Sequence, residues 1–348
     1  MPSHPSLLSL ATAVPPYRLD QREVMASAAS LFGGGFADLD RLIGVYGNAA
    51  IETRYSCVPI EWYRRDHGFG ERNRLYIDNA VALLEGVAEQ CLARAGLAPV
   101  DIDSIVTVST TGIATPSLDA LLMERIDFRR DVERLPIFGL GCAGGVLGLA
   151  RAAALARAAP GSRVLILVVE LCALTFRRGD RSKSNIVASA LFGDGAAGAI
   201  LSCSGDGPAV TGWGEYSWPG TLDVMGWDVA DDGLGVRFSR DIPALVRGRM
   251  GDAATGCLAR QGLVLGDIDR FVCHPGGVKV IDALEAVFGL PNGGLADTRS
   301  VLRDYGNMSA ATVLFVLERA LAAGGGGRYL LSSLGPGFTA AFLTLERA

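Results

Sequence analysis

The feature that most constrains the fold of this chain is an internal duplication. The segment "GLAPVDIDSIV", which begins at Gly96, shares Gly-Leu, Asp-Ile-Asp and a closing valine with "GLVLGDIDRFV", which begins 166 residues later at Gly262. Two further pairs follow at an offset of 165: "GCAGGVLGLARAAALA" with "GNMSAATVLFVLERALA", and "SRVLILVVE" with "GRYLLSSLG". The order and the nearly constant offset indicate two copies of one structural unit. We place the boundary near residue 205, with an N-terminal half over 1–205 and a C-terminal half over 206–348.

Each copy contains short apolar segments that predict buried strands. "SIVTVST", "RVLILVVE", "RFVCHP" and "RYLLSSL" lack strict alternation of apolar and polar residues, which is typical of strands covered on both faces. "GDGAAGAILS" and "GFTAAFLTLE" are further strand candidates at equivalent places. Helical segments alternate with these strands, so we predict βαβ-type units and an α/β fold with helices on both faces. The stretch "GWGEYSWPGTLDVMGWDVADDGLGVRFS" predicts a hairpin-containing insertion in the second half.

Composition excludes several classes of protein. The 348 residues carry a formal net charge of −5 and no run of Lys or Arg longer than a pair, so we expect no nucleic-acid partner. No apolar window reaches the ~18 residues of a membrane span, and the first residues do not form a signal peptide. We therefore expect a cytoplasmic protein. The seven cysteines contain no CxxC pair, which predicts reduced thiols and neither a disulfide framework nor a metal site.

The duplicated helix start differs chemically between the two copies. The residue after its glycine is Cys142 in the first copy and Asn307 in the second. A helix N-terminus leaves backbone N–H groups unpaired and carries a partial positive charge, which favours the reactive thiolate of a cysteine. Of the three histidines, only His274 closes a predicted strand, and α/β sheets place active sites beyond the carboxyl ends of strands. We predict that Cys142, His274 and Asn307 share one pocket.

These three side chains suit acyl transfer with carbon–carbon bond formation. Cys142 would carry an acyl group as a thioester, while His274 and Asn307 would donate hydrogen bonds to an oxygen that develops negative charge. His274 would also stabilise the thiolate, and the neutral amide can stabilise an enolate that a carboxylate would repel. Separately, the three residues have plainer interpretations as a structural cysteine, a strand-to-turn junction and a helix N-cap. Their consistent places in two related halves favour catalysis.

Five motifs in this order resemble the chalcone synthase superfamily, the type III polyketide synthases of the thiolase fold: "GLGCAGG", "ALFGDGAAG", "CHPGG", "DYGNMSAATVLF" and "SLGPGFT". The resemblance implies a layered α-β-α-β-α core. It implies that Cys142 is loaded from an acyl-CoA starter, and that His274 and Asn307 promote decarboxylation of malonyl-CoA to the enolate that attacks the thioester. It also implies no metal or organic cofactor, and a homodimer whose interface is crossed by the loop "TGIATPS".

The resemblance further implies a set of binding residues. Phe192 would be a gatekeeper between the coenzyme A tunnel and the cavity, with a plain core phenylalanine as the alternative. Val236 stands where the plant enzymes have a second gatekeeper phenylalanine, so we expect a wider entrance. Arg41 and Arg54 remain of a basic cluster that grips coenzyme A phosphates, although Arg41 is equally well a surface charge. The other substrate-binding candidates are Thr110, Thr111, Thr115 (in the partner's cavity), Cys172, Thr175, Gly276, Gly277, Ser309, Gly335 and Pro336.

The stretches "VVELCALTF" and "PGTLDVMGWDV" are most similar to bacterial and fungal members that accept medium- or long-chain fatty acyl starters and make alkylpyrones or alkylresorcinols. One alternative is a ketoacyl-acyl-carrier-protein synthase III, which condenses once in fatty acid initiation. That family typically continues its histidine with Gln-Ala-Asn, whereas this chain has Pro275, Gly276 and Gly277. A second alternative is a non-catalytic acyl-binding protein, whose sign would be loss of one of the three reactive residues. None is lost.

Overall fold

Nine strands form a mixed central sheet in residues 4–32 and 44–348, the part of the chain that the computed structural model describes. In chain order the strands are β1 Ser6–Ala13, β2 Tyr17–Asp20, β3 Thr53–Ser56, β4 Ser104–Val108, β5 Glu133–Ile137, β6 Arg163–Leu171, β7 Asp194–Ser202, β8 Ala209–Ser217, β9 Met225–Ala230, β10 Gly233–Phe238, β11 Arg270–Cys273, β12 Gly327–Gly335 and β13 Thr339–Arg347. The pairs β2–β3 and β9–β10 lie outside the central sheet. The six strands predicted from apolar runs are all present, as β4, β6, β7, β11, β12 and β13.

Helices connect these strands and cover both faces of the sheet. The principal ones are α1 Gln21–Phe32, α2 Phe69–Ala95, α3 Leu118–Leu122, α4 Gly144–Ala158, α5 Lys183–Leu191, α6 Ile242–Ala259, α7 Val278–Val287, α8 Ala296–Tyr305 and α9 Thr312–Ala322. Short 3₁₀ turns matter for the site because they carry its side chains; they are Gly141–Ala143, Cys172–Thr175 and Ser309–Ala311. In the described ranges, none of the helices combines the length and the apolar composition that crossing a bilayer requires.

The strand order of the sheet contains the duplication. From one edge it runs β5-β4-β6-β7-β1 and continues β8-β13-β12-β11. In each half two neighbouring strands are parallel, β4 with β6 and β11 with β12, and the next strand inward, β7 or β13, is antiparallel to both of its neighbours. The halves meet where Ser6 pairs with Ala209. The repeated unit is thus a mixed sheet whose parallel βαβ part lies away from the junction.

Five layers result from this arrangement. Helices α4 and α9 lie in the middle, because each contacts strands from both halves of the sheet. Helix α2 covers the outer face of the N-terminal half, and α6 covers that of the C-terminal half and packs on α7. The middle layer packs closely: a Cβ added at Gly145 on α4 would collide with the carbonyl oxygen of Ala310. The α-β-α-β-α core expected from the resemblance is confirmed.

The insertion in the second half is partly as predicted. Strands β9 and β10 form the expected antiparallel hairpin, in which Trp227 pairs with Val236. The first residues of the predicted insertion, "GWGEYS", instead belong to β8 and pair with β13 in the central sheet. The connection between the two halves spans residues 203–208, between the end of β7 and the start of β8. We keep the boundary near residue 205 as a proposal.

Candidate active site

Cys142 lies in the 3₁₀ turn that leads into α4, at the centre of the molecule. Its side chain is buried, with 7% of the residue exposed. The preceding Gly141 has a φ of +49°, and a Cβ there would lie 2.6 Å from Cδ of Pro336. A Cβ at Gly335 would likewise collide with the backbone just before this turn. The predicted residues Gly335 and Pro336 therefore pack directly against the turn that carries Cys142, and only glycine permits the close approach.

The repeat places Asn307 differently from the sequence prediction. Helix α4 begins at Gly144 and α9 at Thr312, so the helix starts are 168 residues apart rather than 165. The counterpart of Cys142 in the fold is therefore Ala310, and Asn307 precedes the turn. The physical reason is a local pairing of Asn307 with the segment around Phe192. The backbone N–H of Asn307 donates to Leu191 O at 2.8 Å, and the N–H of Gly193 donates to Asn307 O at 3.0 Å.

The amide of Asn307 is buried and oriented. Its Oδ1 accepts a hydrogen bond from the backbone N–H of Ser309 at 2.8 Å, whereas its Nδ2 has only a long contact of 3.5 Å with Gly276 O. The donor side of the amide is therefore weakly engaged and available to a ligand oxygen. Ser309 itself has a φ of +46°, and its Oγ lies 3.6 Å from Sγ of Cys142. Ser309 thus connects the amide to the thiol.

His274 follows strand β11, as predicted, and is buried. Its backbone N–H donates to Ser332 O at 2.8 Å, and its carbonyl accepts from Gly276 N at 3.1 Å. Within the described ranges, neither Nδ1 nor Nε2 of the ring has a hydrogen-bond partner. A buried imidazole without partners is costly, and a bound ligand or thiol would relieve that cost. Through Gly276 and Ser309, the structure connects His274, Asn307 and Cys142 in one site.

The electrostatics of the resting site differ from the predicted thiolate. Burial raises the pKa of Cys142 to about 12, and the nearby Glu170 acts in the same direction. Burial lowers the pKa of His274 to about 3. Desolvation thus outweighs the effect of the helix start, since charged forms lose hydration in the interior. At neutral pH these shifts favour a thiol at Cys142 and a neutral imidazole at His274, so acyl transfer must move a proton.

Glu170 is a site residue that the sequence interpretation missed. It lies near the end of β6 and is fully buried. Its Oε2 accepts from the backbone N–H of Thr110 at 3.0 Å and from Oγ1 of Thr111 at 2.9 Å. Burial raises its pKa to about 7, although these hydrogen bonds and one from Ser309 oppose the rise. The available signal was a single carboxylate inside the otherwise apolar run "VLILVVEL", because such residues are rarely buried without a role.

Thr110 and Thr111 lie between Glu170 and the nucleophile turn. Oγ1 of Thr110 accepts from the backbone N–H of Gly141 at 3.2 Å. Oγ1 of Thr111 donates to Glu170 and accepts from the N–H of Leu171 at 2.9 Å. Both predicted residues are therefore close to Cys142, but their hydroxyl groups already have protein partners.

An aromatic cluster, called the gate cluster below, surrounds Phe192, the predicted gatekeeper. The Phe192 ring makes edge contacts with Trp227, at 6.3 Å between centroids, and with Phe238, at 5.7 Å. Val236 packs in the same cluster. Phe238 supplies an aromatic ring beside Phe192 where Val236 does not, and the wider entrance stays a prediction. Trp227 was missed; its Nε1 donates to Thr110 O at 2.9 Å, which fixes the indole over the site.

An apolar pocket adjoins this cluster on the side of α1. It encloses about 620 Å³ of space outside the protein atoms, its open mouth included. Four predicted residues, Arg54, Cys172, Thr175 and Phe192, contribute to its wall. The rest of the wall is mostly apolar and includes Val24, Ala28, Leu31, Phe176 and Ala188.

The remaining predicted binding residues are Arg54, Thr115 and Arg41. Arg54 is 3% exposed, and its guanidinium donates to backbone carbonyls of α5, including Ser189 O at 2.7 Å and Phe192 O at 2.9 Å. It therefore does not reach coenzyme A phosphates at the surface, which corrects that prediction. Thr115 is exposed and does not line the cavity of its own chain. Arg41 lies outside the described residues.

Comparison with known proteins identifies the family. The chain matches "Chalcone and stilbene synthases, N-terminal domain" over residues 64–205 and "Chalcone and stilbene synthases, C-terminal domain" over residues 216–346. It is 38% identical to "Putative chalcone synthase" of Bacillus subtilis (strain 168), with 97% of each chain covered. It is 39% identical to 1,3,6,8-tetrahydroxynaphthalene synthase of Streptomyces peucetius subsp. caesius, with 98% of this chain and 93% of the relative covered.

The fold leads to the same assignment. The structure superposes on the crystal structure of 1,3,6,8-tetrahydroxynaphthalene synthase from Streptomyces coelicolor A3(2), a bacterial type III polyketide synthase, with a TM-score of 0.94 at 29% identity. The match covers 98% of this chain and 99% of the other. Since both family domains match in order and the whole architecture agrees, the chain belongs to the chalcone and stilbene synthase family and is a type III polyketide synthase.

Proposed function

We propose that this enzyme loads a medium- or long-chain fatty acyl group from coenzyme A onto Cys142, extends it with malonyl-CoA and releases an alkylpyrone or alkylresorcinol. Its family consists of acyltransferases that use acyl-CoA and malonyl-CoA and need no cofactor beyond these thioesters. The observation that carries the proposal is the contact of the Cys142 thiol with Ser309, which is in turn bonded to the Asn307 amide. A nucleophile and an oriented amide donor then act on the same thioester.

In the loading step, Sγ of Cys142 attacks the thioester carbonyl of the acyl-CoA. The thiol proton passes to the neutral imidazole of His274, whose ring nitrogens have no partner within the described ranges. The new S–C bond forms as the bond to coenzyme A breaks, and the departing thiolate takes the proton back from His274. Proton transfer of this kind suits a base whose resting form is neutral.

In the extension step, malonyl-CoA loses carbon dioxide and its thioester oxygen becomes an enolate oxygen. Nδ2 of Asn307 and a ring N–H of His274 donate hydrogen bonds to that oxygen, because both are buried and lack strong partners among the described residues. The enolate carbon then attacks the carbonyl carbon bound to Cys142. A carbon–carbon bond forms, the Cys142 thiolate leaves, and the lengthened chain remains on coenzyme A for reloading.

The pocket beside α1 supports a fatty starter. An alkyl chain gains about 0.8 kcal/mol for each CH₂ that it buries, so a pocket with a mostly apolar wall favours an alkyl chain over a short polar starter. Cys172 and Phe192 lie in its wall and also pack together in the gate cluster, which places the pocket next to the acyl site. The chain end would therefore lie between α1 and the Cys172–Thr175 turn.

A second candidate is the synthesis of 1,3,6,8-tetrahydroxynaphthalene, the reaction for which several relatives are named. The chain is 39% identical to a 1,3,6,8-tetrahydroxynaphthalene synthase over nearly its full length, and such a reaction would leave the apolar pocket without a substrate. The ketoacyl synthase III alternative is not favoured by the family assignment, nor by the Pro-Gly-Gly sequence after His274. The non-catalytic alternative is not favoured because Cys142, His274 and Asn307 are all retained and all buried.

We also propose that the enzyme is a cytoplasmic homodimer. Strand β5 forms an edge of the central sheet and is largely exposed, and open edges of this kind invite pairing with another strand. Apolar side chains are exposed in the single chain at Leu135 (38%) in this strand and at Phe138 (59%) directly after it. Ile113 (46%), in the loop with Thr115, is exposed as well. A second copy would cover them and bring the loop with Thr115 to the interface.

The test is mass spectrometry and product analysis with purified enzyme. Incubation with acyl-CoAs of graded length should give an acyl adduct on Cys142, and malonyl-CoA should then yield alkylpyrones or alkylresorcinols. Cys142→Ala serves as the control and should carry no adduct. Tetrahydroxynaphthalene from malonyl-CoA alone, without fatty adducts, would favour the second candidate. Absence of any Cys142-dependent adduct or product would overturn the proposal, and sedimentation analysis decides the oligomeric state.

A further inference from the structure

We propose that Arg54 is a positioning residue for Asn307, acting through the end of helix α5. The inference rests on the role proposed above for Asn307 in decarboxylation. Arg54 has no contact with the reacting groups in this arrangement. Its effect would be to hold the backbone segment against which Asn307 is paired.

The contacts of Arg54 converge on one helix end. Its Nη1 donates to Ser189 O at 2.7 Å and to Phe192 O at 2.9 Å, and its Nη2 donates to Ala190 O at 2.6 Å. Nη2 also contacts Oε1 of Gln21. The last carbonyls of a helix lack partners within the helix and carry partial negative charge, so a guanidinium there satisfies and fixes them. Arg54 thus immobilises residues 189–192 as a unit.

The same helix end holds the backbone of Asn307. Leu191 O accepts from Asn307 N at 2.8 Å, and Gly193 N donates to Asn307 O at 3.0 Å. Leu191 lies between the carbonyls that Arg54 binds. Arg54 and Asn307 therefore contact the same four-residue segment, one through its guanidinium and the other through its backbone.

Close packing leaves this segment little freedom to adjust. A Cβ at Gly193 would collide with the backbone of Tyr305, and a Cβ at Gly306 would lie 2.8 Å from Leu191 O. Both hypothetical atoms would also contact Cβ of Arg54, at 3.4 Å and 3.6 Å. The side chain of Arg54 thus packs near Gly193, which follows α5, and near Gly306, which precedes Asn307. A shift at the end of α5 would pass directly to Asn307 through interlocked backbones.

The charge of Arg54 argues for more than a packing role. In the described ranges no carboxylate forms an ion pair with it, so a buried cation is held by carbonyl oxygens and one amide. Burial lowers its pKa to about 10, which still leaves it charged at neutral pH. Apolar side chains often stabilise an interior better than a buried charge does. A planar guanidinium, whose N–H groups point in fixed directions, is instead suited to holding several carbonyl oxygens in place at once.

The test is a double-mutant cycle on malonyl-CoA decarboxylation. Arg54→Met should lower kcat by about tenfold to a hundredfold with little change in KM, since small displacements of a catalytic group have effects of this size. Acylation of Cys142 should remain near the wild-type level. In an Asn307→Ala background, Arg54→Met should change kcat less than about twofold, because two residues acting as a unit are non-additive. Arg54→Lys, which keeps the charge, should restore part of the rate.

Arg72 provides a matched control. It is also buried and donates to backbone carbonyls, including Phe176 O at 2.9 Å, but it binds a different part of the chain. Arg72→Met should show additive effects with Asn307→Ala. If Arg54→Met does not fold, the same cycle is run with Arg54→Lys and Gln21→Met, where coupling to Asn307→Ala is again the expected result.

Three outcomes would overturn the inference. The first is additivity of Arg54→Met with Asn307→Ala, and the second is an equal loss of Cys142 acylation and decarboxylation. The third is a rise in KM for malonyl-CoA that is absent with malonyl-N-acetylcysteamine, which would indicate phosphate recognition. Failure of the wild-type enzyme to decarboxylate malonyl-CoA, or full activity of Asn307→Ala, would instead contradict the proposed function.

Discussion

The hydroxyl of Ser309 lies 3.6 Å from the thiol of Cys142, on a residue with a φ of +46°. Few non-glycine residues adopt this left-handed conformation, and such strain tends to persist where it serves a site. The carbonyl of the same Ser309 accepts from Oγ1 of Thr312 at 2.9 Å, which holds the turn at the start of α9. Ser309 thus occupies a fixed position against the nucleophile.

Ser309→Ala should make the thiol of Cys142 harder to ionise. A hydrogen bond to Ser309 lowers the pKa of this thiol against the rise caused by burial, so its removal raises the pKa further. The rate of acyl-CoA loading should fall by up to about tenfold at each pH below 12, because the 3.6 Å contact is long and such a hydrogen bond is worth no more than the low end of the usual range, about 1.5 kcal/mol. Rapid-quench mass spectrometry of the Cys142 adduct from pH 6 to 10 measures this.

Ser333→Ala is the matched control for this experiment. Oγ of Ser333 donates to the backbone carbonyl of Cys142 at 2.8 Å and does not contact the thiol. Its removal should leave the rate of loading near the wild-type value over the same pH range. An equal fall in rate in both variants would show that the Ser309 hydroxyl has no specific effect on the thiol.

Glu170→Gln should become more stable relative to wild type as pH rises from 5 to 8. Burial raises the pKa of Glu170 to about 7 from an ordinary value of 4.5, so the folded state binds a proton that the unfolded state has lost. Its contribution is fully present below 4.5 and is lost as pH rises through 7. His274 acts in the opposite direction at lower pH, so the measured quantity is the difference in melting temperature between variant and wild type.

Glu285→Gln tests the sign of that argument. Glu285 is buried too, but Arg299 contacts it and holds its pKa below the ordinary value. Its stabilising effect is present above 4.5 and is lost only as pH falls further. The difference between Glu285→Gln and wild type should therefore stay constant from pH 5 to 8. A Glu170→Gln difference that also stays constant would contradict the raised pKa.

Much of the architecture follows from local sequence, because buried strands need continuous apolar runs wherever they occur. The register of Asn307 did not follow. Its position depends on pairing with Leu191 and Gly193, which lie far away in the chain. The offset of 165 residues between the repeated segments does not show that the second helix begins three residues later. A repeat predicts equivalent elements reliably, but an insertion inside a connecting segment becomes visible only in three dimensions.

The roles of charged residues were harder to predict for a different reason. The resemblance matches Arg54 to phosphate recognition through the stretch that ends in "RY", yet its donors bind carbonyls at the end of α5. Every residue has a backbone carbonyl, so the pattern of side chains does not show which carbonyls an arginine binds. The sequence therefore could not distinguish a buried arginine that binds a helix end from an arginine at the surface. Glu170 could be recognised only weakly, as a single charged residue in an apolar strand. The contact of Trp227 with Thr110 depends on how the hairpin packs against the rest of the fold, which the sequence does not show.

Trp227→Ala should broaden the range of acyl-CoA starters, whereas Val236→Phe should narrow it. The Trp227 ring packs on Phe192, and Val236 lies opposite Trp227 in the hairpin, so both substitutions change the same part of the gate. We expect Trp227→Ala to raise kcat/KM for bulky starters by several-fold to about tenfold, consistent with about 1–3 kcal/mol for small changes of pocket volume. Steady-state kinetics with acyl-CoAs of graded length provide the measurement.

Leu222→Ala is the control for the gate, because this side chain belongs to the same insertion and is 79% exposed. Its starter profile should match that of wild type. An unchanged profile in both Trp227→Ala and Val236→Phe would remove the hairpin from the determinants of starter choice.

Ala28→Leu should shorten the preferred starter by filling the pocket beside α1. Ala28 is buried in the pocket wall, and each added carbon displaces space that a chain end would occupy. We expect kcat/KM to fall by about tenfold for long acyl-CoAs and to change little for short ones, since each lost CH₂ contact is worth about 0.8 kcal/mol. Ala26→Leu adds the same atoms on the exposed face of α1 and should have no effect.

If Ala28→Leu left the long-chain preference intact while the enzyme remained folded and active, the chain end would have to bind elsewhere. Loss of activity that is uniform over all chain lengths would indicate overpacking instead, and the smaller substitution Ala28→Val would then separate the two effects.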